Sequence, residues 1–336
     1  MFENRYQKPE RSAWQGRTDS NTNFNAFRWH QWIRPLDLIL PGENVSPEFL
    51  SIAFLGFCCD EGVRRNKGRT GAAKGPQSIR SELANLPCWF QESVRLYDAG
   101  NVLCEDGNLE ESQIALAEAV TKILDLGYFP IVLGGGHETA YGNYNGIRNH
   151  LLKTENHDLG IINFDAHFDL RPYPDGGSSG TMFRQIADDR KAADEEYAYM
   201  CIGVQRYGNT YDLFQVAESL GVRTLLSKDL SDSMNWGAFD DLEDYMKPQK
   251  NLYVTICSDV FSSAFAPGVS ASQPVGLDPE LCLKILRQIF RTEKVRGFDI
   301  SEVSPRFDFD STTANLAKVL IFSVVNTLAT LRGFSK

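Results

Sequence analysis

The sequence predicts an α/β protein built on a mostly parallel central sheet with helices on both faces. Three observations lead there. From Ser51 onward, short apolar runs alternate with longer stretches of helical periodicity. No low-complexity linker or internal repeat interrupts that alternation. The chemically distinctive residues gather where apolar runs stop, which in a parallel sheet is the edge where ligands bind.

In chain order, residues 1–45 read as a polar, irregular arm whose Trp14, Trp29 and Trp32 pack onto the domain formed by residues 46–336. Ile52–Phe57 is an apolar strand, followed by a Gly- and Arg-rich loop from Gly62 to Pro76. Pro76 suits a helix start, with Ile79, Leu83 and Leu86 on one face. Leu109–Leu126 is helical and ends at Gly127; Phe129–Leu133 is a strand running into Gly134-Gly135-Gly136-His137-Glu138, and 139–152 is helical. Further strands are expected at Leu159–Phe164, Tyr199–Val204, Val222–Leu226, Leu252–Cys257 and Val295–Ile300. Helices at 180–189, 209–220, 236–247, 278–291 and 312–331 separate them. The last is broken by Lys318 and Asn326 and reads as a buried helix rather than a membrane span.

Composition bounds the function. The formal charge of −10 argues against a nucleic-acid surface, which needs excess Lys and Arg. The first residues lack the apolar core of a signal peptide, and the seven cysteines form no C-x-x-C pair. Reduced thiols in a cytoplasmic protein are the expectation, with a small molecule as substrate and neither nucleic acid nor membrane as partner. A homo-oligomer is left open.

Asp165, His167 and Asp169 occupy alternate positions after the Leu159–Phe164 run, which on an extended chain aims them to one side. Alone, that spacing is compatible with a polar strand end carrying surface ion pairs. His137 alone is compatible with a structural histidine. Cys257-x-Asp259 and Asp299-x-x-Glu302 end two further apolar runs. Together the four motifs put two imidazoles and several carboxylates on one sheet edge, the donor mix of a Mn²⁺-type site. The triple glycine lacks the spacings of a phosphate loop, and is expected to let backbone approach the metals closely.

The stretches Gly134–Glu138 (GGGHE), 163–171 (NFDAHFDLR), 258–271 (SDVFSSAFAPGVSA) and 299–305 (DISEVSP) resemble the ureohydrolase, or arginase/agmatinase, superfamily. Residues 62–76 (GVRRNKGRTGAAKGP), 14–17 (WQGR) and the Arg directly after DAHFDL resemble its formimidoylglutamase branch. The resemblance implies a three-layer α/β/α arginase-like fold and hydrolysis of N-formimidoyl-L-glutamate to L-glutamate and formamide. It implies two Mn²⁺ per chain, one held by His137, Asp165 and Asp169 and the other by Asp165, His167 and Asp259. Cys257 stands where the family has a second shared carboxylate, and either faces the metals or turns into the core. Phe183 takes the place of an arginase histidine. Asp169 is expected to carry a proton to the departing nitrogen, Glu302 to pair with the amidine, and Arg171 and Arg69 to meet the substrate carboxylates. The alternatives are a guanidino substrate and a metal-poor, non-catalytic relative.

Overall fold

A computed structural model describes residues 2–40, 42, 44–230 and 237–336. Ten strands form one sheet: β1 (Tyr6–Gln7), β2 (Arg34–Pro35), β3 (Leu50–Cys58), β4 (Val94–Leu103), β5 (Phe129–Leu133), β6 (Gly160–Phe164), β7 (Tyr199–Val204), β8 (Arg223–Leu226), β9 (Leu252–Cys257) and β10 (Val295–Ser301). Their order is β1-β4-β3-β5-β10-β9-β6-β7-β8, with β2 also on β4. Every pairing is parallel except the antiparallel contact of β1 with β4.

The central strands are apolar throughout because helices cover both of their faces. Ile52, Phe54, Ile131, Leu133, Ile162, Phe164, Val254 and Ile256 point into one apolar layer, with the helices Gly75–Leu83, Gly237–Met246, Pro279–Phe290 and Thr312–Leu331. Ala53, Leu55, Phe57, Val132, Ile161 and Tyr253 point into the other, with Leu109–Asp125, Thr139–Leu151, Met182–Ala192 and Tyr211–Ser219. The architecture is the three-layer α/β/α one expected. The Thr312–Leu331 helix is long and apolar enough to cross a membrane, and its buried face packs on the Gly75–Leu83 and Pro279–Phe290 helices. Helix starts follow local chemistry: the Asn108 and Asp278 side chains accept from the Glu111 and Leu281 N–H groups, and Pro279 holds the first turn.

Three local features differ from the sequence reading or go beyond it. Val94–Leu103 is a strand next to β3, although Arg95, Tyr97, Asp98 and Asn101 interrupt its apolar pattern. The arm is not wholly irregular: it supplies β1 and β2, while the Trp14 and Trp29 rings each lie 5.8 Å from Phe54. The loop after β3 begins as a short helix, Glu61–Arg65. Residue 236, the expected start of the 236–247 helix, lies outside the described residues, and the helix is described from Gly237 to Met246.

Candidate metal centre and substrate pocket

The four motif-bearing strands, β5, β10, β9 and β6, are contiguous in the sheet. Parallel pairing therefore brings their carboxyl ends, and the residues just beyond, to one place. Asp165, His167 and Asp169 do not converge by strand alternation as the sequence suggested. β6 stops at Phe164, and Asp169 reaches the site from a turn with its own backbone in the left-handed region, φ 49°. Glu302, just past β10, is also left-handed at φ 67°, a conformation that costs energy in a residue with a Cβ.

His137 Nδ1 lies 3.0 Å from both Asp165 Oδ2 and Asp169 Oδ2. Its other nitrogen, Nε2, lies 3.0 Å from the Thr255 hydroxyl, which donates to Asp299 Oδ1 at 2.7 Å. Because that hydroxyl proton is committed to Asp299, His137 Nε2–H must be the donor to Thr255, and Nδ1 is the atom turned to the carboxylates. Asn143 and the Tyr253 hydroxyl donate to the far oxygen of Asp299 and hold it in place. His167 Nδ1 lies 3.3 Å from Asp165 Oδ1 and 3.2 Å from Asp259 Oδ2. Asp165 thus stands between the two imidazoles.

The electrostatics are those of a site short of positive charge. Burial pushes both imidazoles down, but Asp165 and Asp169 around His137, and Asp259 and Asp165 around His167, raise them well above the usual histidine value. Burial opposes ionisation of Asp165 too, yet hydrogen bonds from His137 and His167 outweigh it and lower its pKa. Asp169 is raised to about 6 by burial and the Asp165 charge, and Glu302 to about 8 by burial and the charges of Glu138 and Asp259. Asp259 is raised by burial and by Asp165. Burial raises the Cys257 thiol far above the usual value, helped by Asp165, Asp259, Glu302 and Asp169. Asp259 Oδ1 and Glu302 Oε2 are buried without a hydrogen-bond partner among the described residues.

Two overlapping donor sets could each hold an ion: His137, Asp165 and Cys257, and Asp165, His167 and Asp259, the atoms of each set lying within 4.8 Å of one another. Imidazole nitrogens, crowded carboxylates and partnerless buried oxygens fit divalent cations. The triple glycine also lets the chain pass close to neighbouring protein groups. A Cβ on Gly135 would lie 1.8 Å from the Cys59 carbonyl, and one on Gly136 would lie 2.1 Å from Glu138 Oε2. Gly136 N–H donates to Cys59 O at 2.8 Å.

A cavity of about 300 Å³ opens over this centre. His137, His167, Asp169, Cys257, Asp259 and Glu302 line its floor, and Arg69 and Arg171 its wall. Arg171 is exposed and donates to Asn66 Oδ1 at 3.3 Å. Arg69 is more committed: its Nε and Nη2 donate to the Ser270 and Val269 carbonyls, and its guanidinium lies 4.2 Å from the Phe307 ring. Among the described residues its Nη1 has no hydrogen-bond partner. Phe183 stacks on Tyr199 at 4.4 Å and sets its edge against His137. Sequence reasoning did not single out Asn66, Lys67, Ser179 or Ser270 on the cavity wall, nor Thr255 behind His137. Asn66 and Lys67 lay inside the 62–76 stretch and Ser270 inside the 258–271 stretch already noted, but Ser179 carried no signal of its own.

Fold and site define a three-layer α/β protein with an acidic, imidazole-bearing pocket at the carboxyl ends of its central strands. The chain belongs to the arginase family, whose model matches residues 50–326. It is 57% identical over 331 residues to the formimidoylglutamase of Clostridium tetani, covering 98% of each chain. It is 46% identical to that of Geobacillus thermodenitrificans, covering 93% of this chain and 94% of the relative. Among solved structures it resembles the Trypanosoma cruzi formiminoglutamase with Mn²⁺, at a TM-score of 0.73 and 28% identity, covering 83% of this chain and 94% of that one.

Proposed function

We propose that this chain is a C–N hydrolase that cleaves N-formimidoyl-L-glutamate to L-glutamate and formamide with two divalent cations. The observation that carries the reading is that two imidazole-bearing donor sets share the buried Asp165 beneath one cavity, which His137, His167, Cys257 and Asp259 line. Its relatives from Clostridium and Geobacillus are formimidoylglutamases, and the Trypanosoma neighbour was solved with Mn²⁺. His137, Asp165, Asp169 and Cys257 would hold one cation, and Asp165, His167 and Asp259 the other. Such a pair, when bound, makes hydroxide available at neutral pH.

The protein groups do the rest. Glu302 turns a partnerless Oε2 within a buried carboxylate, while its Oε1 accepts from His137 N–H at 3.2 Å. That oxygen pairs with the cationic amidine and orients its carbon over the floor. Asp169, on the cavity floor beside His137, takes a proton and passes it to the departing glutamate nitrogen. The products are the amine of glutamate and formamide, with one water consumed. Arg171 with its guanidinium fork, and Arg69 through Nη1, would meet the two substrate carboxylates from the cavity wall.

Turnover of formimidoylglutamate, arginine, agmatine and guanidinobutyrate, measured side by side with added Mn²⁺, tests the assignment. Formimidoylglutamate is expected to have the highest kcat/KM. Arg171→Ala should raise KM for it with little change in kcat, because a carboxylate contact is shared by ground and transition states. A guanidino compound turned over more efficiently would sink the assignment.

A further inference from the structure

Cys257 is the residue at which this site departs from a set of carboxylates and imidazoles, and β9 decides which way it points. Leu252, Val254 and Ile256 pack into one apolar layer. Tyr253 and Thr255 face the other way, and their hydroxyls reach Asp299. Cys257 continues that side of the strand by period-two alternation and lines the cavity, only 2% exposed. It has not turned away into the core. Its sulfur lies within 4.8 Å of donor atoms of His137 and Asp165, which also lie within that distance of each other. The second set, Asp165, His167 and Asp259, meets the same limit without sulfur. The two sets share Asp165 and differ in chemistry: nitrogen, oxygen and sulfur on one side, and nitrogen with carboxylate oxygens on the other.

We propose that the two cation positions are inequivalent: the Cys257 side takes a borderline metal of the Zn²⁺, Co²⁺ or Fe²⁺ kind, and the His167–Asp259 side takes a hard, Mn²⁺-type ion. The proposal rests on the two-cation reading above and deepens it. Thiolate sulfur favours borderline and soft metals over Mn²⁺, whereas carboxylate oxygens suit Mn²⁺. On loading, the S–H bond breaks, the proton leaves to solvent, and a metal–sulfur bond forms without change of oxidation state. The resulting thiolate joins Asp165, Asp169 and Asp259, so that four negative groups face two divalent cations. A neutral thiol would leave that balance one charge short.

Metal-free full-length protein loaded with Co²⁺ under reducing conditions gives a readout independent of turnover. A sulfur-to-cobalt charge-transfer absorption in the near ultraviolet is expected for the wild type and should vanish in Cys257→Ser. With one equivalent of Zn²⁺ per chain and Mn²⁺ in large excess, metal analysis after desalting should find one Zn²⁺ and one Mn²⁺ per chain. Cys257→Asp should shift the chain toward two Mn²⁺ and weaken its Zn²⁺ binding at least about 10–100-fold, the range that loss of a mere supporting partner of a ligand costs. Absence of the charge-transfer band in the wild type overturns the proposal, as does equal metal selectivity in wild type and Cys257→Ser. Formamide release from formimidoylglutamate by the same samples separates the two readings. Full activity with two Mn²⁺ and no thiolate band would overturn the inequivalence and leave the function standing. A thiolate-bound Co²⁺ with no turnover under any metal would do the reverse.

Discussion

At Glu302 both backbone and side chain are held away from their ordinary states, at φ 67° and with a pKa raised to about 8. A structure retains such a residue only where its surroundings over-determine it. Here Glu302 N–H donates to Gly135 O at 2.8 Å, and Oε1 accepts from His137 N–H, so the segment just after β5 holds both its backbone and its carboxyl. Glu302→Gln keeps the size and the acceptor oxygen but removes the charge offered to an amidinium. Losing a hydrogen bond to a charged group costs about 1.5–3 kcal/mol, so kcat/KM should fall roughly 10–150-fold. Metal content should stay the same, since Glu302 belongs to neither donor set. Metal loss in that variant would show that Glu302 is a metal ligand instead. At this scale the sequence was informative because His137, Asp165, His167, Asp259 and Glu302 stand next to apolar strand cores. It was silent about Asn66 holding Arg171, a contact between residues 105 positions apart.

Among the elements, β4 was hidden for the reason that makes it interesting. Its Asp98 is buried: it lies under Arg80 and Trp14, with Arg80 Nη2 to Asp98 Oδ1 at 2.9 Å and Trp14 Nε1 to Asp98 Oδ2 at 2.7 Å. The ion pair is 2% and 4% exposed. A carboxylate inside a strand spoils the apolar run that pattern reading depends on, and the partners that neutralise it come from a helix and from the arm. The short β1 and β2 were unreadable for a related cause: two-residue strands have no period, and only β4 defines them. By contrast β5, β7 and β9 fall on the residues expected, since strands covered on both faces read as plain apolar runs. Asp98→Ala would leave the Arg80 guanidinium buried without its countercharge, at a cost of about 3–5 kcal/mol. Urea denaturation should register that loss, while kcat per folded molecule stays close to wild type because no residue of the pair lines the active-site cavity. A wild-type midpoint in urea would mean that the ion pair contributes nothing net.

Over the whole molecule, the centre makes the stability of the metal-free chain depend on pH in a definite direction. Glu302 and Glu138, ordinarily near 4.5, are raised to about 8 and about 7, chiefly by burial. The folded chain therefore holds protons that the unfolded chain has released, and stability falls as pH rises from about 4.5 towards 8. His137 and His167 act in the same sense. Their folded values are raised, so their contribution is complete below the ordinary 6.5 and is lost as pH climbs through the folded values. Asp165 has the opposite sign: its lowered pKa contributes above about 3.8 and is lost only in more acidic solution, outside this window. Chelator-treated protein should accordingly lose several degrees of Tm between about pH 6 and pH 8. Divalent cations supply the positive charge that protons supply in their absence, so saturating metal should raise Tm most at the alkaline end and flatten the profile. Calorimetric scans across that range, with and without metal, make the comparison. A metal-free Tm that holds steady or rises with pH would mean that the buried carboxyls and imidazoles are not coupled to folding in the way their contacts imply.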